Sequence, residues 1–306
     1  MSFDVPIAFC FYNRPEQTQQ VFSEIRNIAP RELLLISDGP NSNRAGDTEK
    51  VLRCREVVKQ IDWDCSVRRC YSVNNLGCRI RMSSGLNWAF QHAESLIVLE
   101  DDCLPSRSFF TFCREALERY RDDESVFMVS GDRFLPTLDG SQAYRSKWAH
   151  IWGWASWSRA WQFYDLELQD WPQRAQTNWL QEWCDRETEV EHWRSVFDQV
   201  HQSAIDTWDY SWMYTLWSQN AHCVIPPKNL VTNIGFAHDA THTVDPDSAL
   251  ANLPRHELQN VVWPSGTERD LDADCWTFDN IFDASNRKPE QSWLTRWKRR
   301  LFGRAA

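Results

Sequence analysis

Three consecutive acids, Glu100, Asp101 and Asp102, directly follow a short apolar run at residues 96–99. A run of this length and composition is typical of a buried strand. Its terminal carboxylates need a partner if they are buried, because their desolvation costs several kcal/mol each. A hard divalent cation is one such partner, since it binds carboxylate oxygens and keeps other positions for water or phosphate. A solvated acidic loop after an edge strand is the alternative, and the triplet alone leaves both open.

Polar residues also follow two earlier predicted strands. The strand over residues 5–12 runs into Asn13-Arg14-Pro15, and the strand over 32–36 runs into Ser37-Asp38-Gly39-Pro40. Further strands and helices alternate along the chain, with helices predicted from Pro15 and over 47–61, 80–93 and 109–120, and strands over 67–73 and 126–129. This alternation predicts an α/β fold, with a mostly parallel sheet flanked by helices on both faces. Such sheets bind ligands at the carboxyl ends of their strands, so we expect the three polar groups in one crevice.

The overall composition restricts the class of protein. The formal net charge is -10, which argues against nucleic acid as the main partner. Residues 1–4 lack the basic start and the long apolar region of a signal peptide, and no apolar run reaches the ~18 residues needed to span a bilayer. The 10 cysteines contain no C-x-x-C pair. We therefore expect reduced thiols in a cytoplasmic protein.

A basic residue and an acidic cluster in one crevice suit a nucleoside diphosphate. A bound cation bridges the phosphate oxygens and neutralises the charge that develops on the leaving group. Arg14 is a candidate to contact the phosphates, and Asp38 is a candidate to accept a base N–H. The structural alternatives are a surface charge at a helix start for Arg14 and plain turn chemistry beside Gly39-Pro40 for Asp38.

Six short motifs occur in an order that resembles a known family. They are Phe11-Tyr12-Asn13-Arg14-Pro15, Ile36-Ser37-Asp38-Gly39, Asn75-Leu76-Gly77, Val98-Leu99-Glu100-Asp101-Asp102 with Phe109-Phe110, Trp152-Gly153-Trp154, and Trp208-Asp209-Tyr210-Ser211-Trp212-Met213. The ordered set resembles the nucleotide-sugar glycosyltransferases of the GT-A fold, and most of all the N-acetylglucosaminyltransferase I type and its bacterial relatives. The resemblance spans roughly residues 5 to 245. It implies a Rossmann-like GT-A fold.

The resemblance also implies roles in donor binding. The last acid of the family's acidic motif ligates Mn²⁺, which assigns Asp102 as the ligand of Mn²⁺ or Mg²⁺. Glu100 and Asp101 would then lie near the sugar and the waters of the metal. The family's arginine after strand one contacts the diphosphate, which corresponds to Arg14, and its aspartate after strand two binds uracil, which corresponds to Asp38.

The general base of the family lies in a Trp-Asp-Asp-Trp-Met segment. Trp208-Asp209 matches the first half of that segment, whereas Tyr210-Ser211 stands where the family has a single Asp. The resemblance therefore implies Asp209 as the base, and its aromatic neighbours favour a raised pKa. Two alternatives remain open: a buried Asp209 that caps a helix starting at Tyr210, and Asp206 as the base.

The second half of the chain is rich in Trp, with five at positions 148–161. This cluster is either a packed platform or a surface on which sugars stack. Trp154, beside Gly153, is the predicted acceptor-binding residue. His238 and His242 follow the last predicted strand and are candidate ligands of the metal or a phosphate, with surface or turn histidines as the alternative. A helical insertion at about 165–205 is expected to reshape the acceptor site.

The predicted organisation has three parts. Residues 1–135 form the donor-binding half, residues 136–245 form the acceptor and catalytic half of the same domain, and residues 246–306 form an extension. Residues 292–304 combine a Trp/Leu stripe with five basic residues. This segment is expected to bind an anionic membrane surface, which would place the protein at the inner face of the membrane. An ordinary terminal helix packed on the domain is the alternative.

These observations predict a metal-dependent hexosyl- or N-acetylhexosaminyltransferase of polysaccharide biosynthesis. Its donor would be a nucleotide diphosphate sugar, with UDP expected, and its acceptor a hydroxyl of a glycan or lipid-linked glycan. Inversion is expected, because one base and one metal suffice for a single displacement. A nucleotidyltransferase is the first alternative, although it would usually carry a Gly-rich loop with Lys or Arg where this chain has Asn13-Arg14-Pro15. A non-catalytic glycan-binding module built on the Trp-rich half is the second.

Overall fold

The central feature of the computed structural model is an eight-stranded sheet flanked by helices. The structure describes residues 3–136, 140–236 and 250–282. Two further strands form a separate ribbon. The strands are β1 (Ile7–Phe11), β2 (Glu32–Ser37), β3 (Ser66–Tyr71), β4 (Ser95–Glu100), β5 (Cys103–Pro105), β6 (Val126–Ser130), β7 (Tyr144–Ser146), β8 (Trp154–Trp157), β9 (His222–Ile225) and β10 (Val231–Asn233).

The helices connect the strands and cover the sheet. Four long helices lie in the first half of the chain, and the second half contains shorter ones and one long helix. They are α1 (Pro15–Ile28), α2 (Asp47–Val57), α3 (Cys78–Phe90), α4 (Arg107–Arg119), α5 (Ser158–Trp161), α6 (Trp171–Arg174), α7 (Trp179–Trp183), α8 (Glu187–His201), α9 (Asp209–Ser218) and α10 (Leu271–Thr277), followed by one π-helical turn (Phe278–Phe282).

The first half of the sheet has a Rossmann-like arrangement. Strands β3, β2, β1 and β4 lie side by side in that order and are all parallel. Helices α1, α2 and α3 provide the crossovers between them. The predicted strands and helices of this half are confirmed, because apolar runs such as Ile7–Phe11 alternate with helix-starting signals such as Pro15.

The second half of the sheet is mixed, although four of the seven strand pairings in the sheet are parallel, in agreement with the predicted mostly parallel sheet. Strand β8 lies between β4 and β6 and is antiparallel to both. Strand β9 is parallel to β6, and β7 is antiparallel to β9 at the edge. The chain between β6 and β8 contains no helix among its described residues, so it does not make the crossover that parallel pairing requires.

Side chains alternate between two cores, one on each face of the sheet. In β1, Ala8 and Cys10 contact the core that contains α3 and the Trp-rich helices, whereas Ile7, Phe9 and Phe11 contact the core that contains α1, α2 and α4. Strands buried on both faces are nearly continuous apolar runs, as found here. The fold is thus a three-layer α/β arrangement in which the first half of the sheet presents its carboxyl ends at one edge.

The predicted helical insertion consists of several pieces. The insertion predicted at about 165–205 contains α6, α7 and α8, with a break between α7 and α8. Cys184 has an extended backbone, which ends α7. Helix α8 packs Trp193 and Phe197 into the core. The insertion therefore stabilises one face of the sheet through its aromatic side chains.

The described part of the C-terminal extension packs against both halves of the domain. Trp263 stacks on Phe112 of α4 with a centroid separation of 5.0 Å. In the second half, the Trp148 indole donates to the main-chain carbonyl of Asp274 at 3.0 Å. His238, His242 and the basic segment 292–304 lie outside the described residues. Within the described ranges, no helix combines the length and apolar character needed to cross a bilayer.

Candidate active site

The polar groups that follow β1 and β4 meet at one edge of the sheet. In the sheet register, Phe11 is opposite Ser37 of β2, and Cys10 is opposite Glu100 of β4. The residues that follow these positions therefore emerge side by side. Tyr12 confirms this placement, because its backbone N–H donates to Asp101 Oδ2 at 2.9 Å. The structure thus places these polar groups together at one edge of the sheet, as the strand order predicts.

The acidic triplet is held in a largely buried position. Burial raises the pKa of Glu100 well above its usual range, and the charges of Asp102, Asp101 and Asp209 raise it further. Burial and the charge of Asp102 raise the pKa of Asp101 to about 7. The three carboxylates therefore repel one another in a poorly solvated site. An added positive charge would relieve this repulsion, which is the property of a cation-binding acidic cluster.

Arg14 supplies one such charge. Its Nη1 donates to Asp102 Oδ2 at 2.6 Å, and both side chains are partly exposed. The β5–β10 ribbon brings a second segment to the same place, because Ile234 N–H donates to the Asp102 carbonyl at 2.8 Å. Gly235 lies so close to the Asp102 and Arg14 side chains that a Cβ there would overlap them. The sequence-predicted phosphate and metal residues are therefore in direct contact.

Asp38 holds a turn with both of its carboxylate oxygens. Oδ1 accepts the N–H groups of Gly39 and Leu76, and Oδ2 accepts the N–H of Gly77 at 3.0 Å and the Asn75 side-chain amide at 3.0 Å. These four donors occupy the lone pairs that a carboxylate offers. Asp38 therefore stabilises a turn, which is the structural alternative to its predicted role. The predicted contact to a base N–H would require the loss of one of these four hydrogen bonds.

Asp209 lies at the start of α9, close enough to the acidic triplet for its charge to act on Glu100. Its charge raises the pKa of Glu100 and that of the Cys78 thiol, although burial is the largest cause for both. The Thr207 hydroxyl donates to Asp209 Oδ1. Helix α9 begins at Asp209 itself with Trp208 at the N-cap, so Asp209 does not cap a helix that starts at Tyr210. Asp206, the rival base, is exposed.

Trp154 is fully buried, which corrects its predicted acceptor role. Its ring packs 5.9 Å from the ring of Trp208 and 5.9 Å from that of Trp212, the two tryptophans that flank Asp209. No face of Trp154 is available to a sugar. Trp154 belongs to a packed platform, which is the structural alternative, because it lies on β8 and packs against the tryptophans at the start of α9.

Asp47 is a buried acid near the site that the sequence motifs did not indicate. It is the first residue of α2, yet it is only 2% exposed. It accepts the Tyr12 hydroxyl at 2.6 Å, the Asn13 side-chain amide, and the N–H of Asn41 at 2.7 Å. Acidic residues are common in the first turn of surface helices. The residue type and position of Asp47 therefore did not indicate that it is buried.

A second buried pair, Asp132 and His150, lies beyond the carboxyl end of β6. Burial raises the pKa of Asp132 to about 7 and lowers the pKa of His150 to about 4. Asp132 Oδ2 and His150 Nδ1 are 3.9 Å apart, which is too far for a hydrogen bond. The charge of Asp132 contributes to the raised pKa of Cys103, the neighbour of Asp102. The pair therefore lies next to the candidate site and perturbs its electrostatics.

The donor chemistry of the site fits a hard cation held by few protein ligands. Across the described residues, no three His, Cys, Asp or Glu side chains converge as a metal-binding group. The crowded carboxylates of the triplet supply the oxygen ligands that Mg²⁺ and Mn²⁺ prefer. Such a cation often binds one or two carboxylates and completes its shell with water and substrate phosphates. Asp102 is a partly exposed carboxylate of this kind and contacts Arg14.

Comparisons with known proteins give matches in fold only. No family model and no curated protein matches the chain. Among solved structures, 4-diphosphocytidyl-2C-methyl-D-erythritolsynthase from Anaerococcus prevotii is 9% identical, with 72% of this chain and 88% of that chain covered and a TM-score of 0.35. UTP-bound UGPase from Acinetobacter baumannii is 7% identical, with 75% and 88% covered and a TM-score of 0.38.

A third solved structure is UDP-glucose pyrophosphorylase complexed with UDP-glucose. It is 10% identical, with 53% of this chain and 79% of that chain covered and a TM-score of 0.29. None of the three is named as a glycosyltransferase. At these identities and TM-scores, the likeness carries no argument about activity. The resemblance to GT-A glycosyltransferases therefore stays a prediction from sequence.

Proposed function

We propose that this protein is a metal-dependent glycosyltransferase with a nucleotide diphosphate sugar as donor. The observation that carries the proposal is that one separate carboxylate, Asp209, lies close enough to Glu100 to raise its pKa, while Arg14 and Asp102 of the same acidic cluster are in direct contact. The cluster suits a diphosphate and its cation. The separate carboxylate suits removal of a proton from a nucleophile. Both groups lie at the carboxyl edge of the sheet, where α/β proteins bind their ligands.

The chain's own residues would act as follows. Arg14 would leave Asp102 and bind the diphosphate, and Asp102 would bind Mn²⁺ or Mg²⁺, which supplies charge neutralisation at the leaving phosphate when it is bound. Asp101 would stay anchored by Tyr12 N–H and shape the site. The nucleoside would lie beside the turn that Asp38 holds. UDP is the nucleotide that the sequence resemblance implies.

Asp209 would accept the proton of an acceptor hydroxyl as that oxygen attacks the anomeric carbon. Thr207 orients its Oδ1, and Trp208 and Trp212 are buried beside it. A single base on the acceptor side implies one displacement and inversion at the anomeric carbon. The anomeric configuration of the product, measured by NMR, tests inversion directly.

Nucleotidyl transfer is the second candidate, because that reaction also uses a parallel sheet and acidic ligands for a metal ion. The phosphate nucleophile of such a reaction is already ionised and needs no separate base, so Asp209 favours glycosyl transfer. The connection from β1 to α1 also has only three residues, Tyr12–Arg14, with no glycine. The connection between β1 and α1 is therefore not a Gly-rich phosphate loop of the kind expected in a nucleotidyltransferase.

The products released in the two reactions differ, and they decide between the candidates. We expect the protein with Mn²⁺ and a UDP-sugar to release UDP, by transfer or by slow hydrolysis. A nucleotidyltransferase would instead release pyrophosphate from UTP and a sugar 1-phosphate. A non-catalytic glycan-binding module would release neither product. A thermal-shift panel of nucleotide sugars identifies the donor, since a ligand at a hundred times its Kd stabilises the folded state by ~2.7 kcal/mol.

A further inference from the structure

Asp47 connects the two loops that border the candidate donor site. Its carboxylate accepts from Tyr12 and Asn13 in the turn after β1, and from Asn41 in the loop after β2. Residues 42–46 of that loop are exposed, so Asp47 is the buried anchor of the loop. Tyr12 carries the connection further, because its own N–H donates to Asp101 Oδ2. A continuous chain of hydrogen bonds thus runs from Asn41 to the acidic triplet.

The charge state of Asp47 suits this role. Burial acts to raise its pKa, but hydrogen bonds from Tyr12, Asn13 and the Asn41 N–H lower the pKa below its usual range overall. The carboxylate is therefore ionised at neutral pH. Hydrogen bonds to a charged acceptor are about twice as strong as neutral ones, so Asp47 holds three donors from two loops firmly.

We infer that Asp47 is a positioning residue that sets the spacing between the nucleoside end and the metal end of the donor site. This inference rests on the proposed function for the identity of the ligand. A nucleoside diphosphate with its cation spans both ends, so its affinity depends on the spacing. A nucleoside alone touches only one end, and its affinity depends much less on the spacing. Asp47 itself touches neither ligand.

Two variants and two matched controls test the inference. Asp47→Ala removes the whole connection, and Tyr12→Phe removes only the hydroxyl that joins Asp47 to the turn after β1. Glu49→Ala is the control for loss of an acid in the first turn of α2, because Glu49 is exposed. Tyr120→Phe is the control for loss of a tyrosine hydroxyl, because the buried Tyr120 hydroxyl has no hydrogen-bond partner in the described structure.

Ligand affinity gives the first measurement. In calorimetry we expect UDP with Mn²⁺ to bind about tenfold more weakly to Asp47→Ala and Tyr12→Phe, the effect of about one charged hydrogen bond. Uridine alone should change by less than about twofold, in keeping with its contact to one end. The controls should match the wild type for both ligands. Equal losses for UDP–Mn²⁺ and uridine would overturn the inference, because they would indicate a general loss of structure.

A rescue variant gives the second test of the geometry. The double substitution Asn13→Asp with Asp47→Asn exchanges the carboxylate and the amide of this pair, so that a carboxylate at position 13 accepts from an amide at position 47. The new amide oxygen can still accept from Tyr12. We expect this variant to recover most of the UDP–Mn²⁺ affinity that Asp47→Ala loses. Absence of recovery, with the variant folded, would contradict the paired geometry.

Hydrogen exchange separates failure of this inference from failure of the proposed function. Without any ligand, Asp47→Ala should speed exchange both in the peptide that contains Tyr12 and in the peptide that contains Asn41. A change confined to the Asn41 peptide would overturn the coupling. If the wild type binds neither UDP–Mn²⁺ nor uridine, the proposed function fails, and the exchange result still decides whether Asp47 couples the two loops.

Discussion

Arg14 Nη1 and Asp102 Oδ2 are 2.6 Å apart, although 88 positions separate the two residues in the chain. The arginine follows β1 and the aspartate follows β4, and the parallel pairing of these strands brings them together. The contact joins a cation that suits phosphate to a carboxylate that suits a metal. When a diphosphate and its metal ion bind, the negative phosphate can replace Asp102 as the partner of Arg14. The positive metal ion can likewise replace Arg14 as the partner of Asp102.

The first prediction concerns Asp102. Asp102→Ala should abolish Mn²⁺-dependent binding of UDP while the melting temperature stays near that of the wild type, because the side chain is partly exposed. Calorimetry with and without Mn²⁺ measures the effect. Asp122→Ala is the matched control, since Asp122 is an exposed carboxylate outside the site. Unchanged UDP affinity of Asp102→Ala in the presence of Mn²⁺ would exclude Asp102 as a ligand.

The second prediction concerns pH and Asp132. The pKa of Asp132 is about 7 in the folded protein, because the side chain is buried. The unfolded value is ~3.9, so between these two values the folded state holds a proton that the unfolded state has released. The contribution of Asp132 to stability therefore falls as pH rises through this window and is constant above it.

Asp132→Asn lacks this titration, and its pH dependence should differ accordingly. Relative to the wild type, the variant should gain free energy of unfolding between about pH 4 and about pH 7 in denaturant titrations. Asp122→Asn serves as the exposed control. His150, whose pKa burial lowers to about 4, is present in both proteins, so the pH dependence that it contributes is common to the two curves. Parallel pH curves for Asp132→Asn and the wild type would contradict the raised pKa of Asp132.

The first half of the fold was predictable from local sequence, whereas the second half was not. Runs such as Leu33–Ile36 must be buried on both faces, and Gly39-Pro40 must end them, so strand positions follow from composition alone. The insertion of β8 between β4 and β6 depends on pairing between segments far apart in the chain. No local pattern determines such a partner, and the Trp cluster at 148–161 predicted either a packed platform or a sugar-binding surface, without a strand at Trp154–Trp157.

The same division holds for the site. Arg14 and the acidic triplet could be placed together, because parallel strands end at one edge. The saturation of Asp38 could not be predicted, since three of its four donors lie in a turn almost forty residues away. The burial of Trp154 could not be predicted either, because the residue type does not indicate which face of a strand packs against other elements. Contacts of this kind are set by tertiary packing.

The third prediction concerns Trp154 as a structural residue. Its fully buried ring contacts three other tryptophans, including Trp161. Trp154→Ala should therefore lower the free energy of unfolding by ~3–5 kcal/mol, measured by denaturant titration. Phe163→Ala is the comparison, since Phe163 is 45% exposed and should cost less. A loss for Trp154→Ala no larger than that for Phe163→Ala would contradict the packing.

The fourth prediction concerns the C-terminal segment, and it rests on sequence alone. Residues 287–304 carry 7 Lys/Arg and one acid, a net charge of about +6, on a chain of net charge -10. Such a segment with Trp on its apolar side should bind anionic membranes. We expect the full chain, but not a chain that ends near Ser292, to sediment with anionic liposomes. Equal sedimentation of the two forms would exclude this role for the segment.

The central claim is that Asp209 acts as the base of a glycosyl transfer, and one substitution tests it most directly. Asp209→Asn keeps the volume and the ability to accept from Thr207 but cannot take a proton. We predict that UDP release coupled to transfer falls at least about a hundredfold, while UDP-sugar affinity and melting temperature stay near the wild type. Asp206→Asn, the exposed neighbour three residues earlier, should keep its activity. Near-normal transfer by Asp209→Asn, or equal losses for both variants, would contradict the assignment.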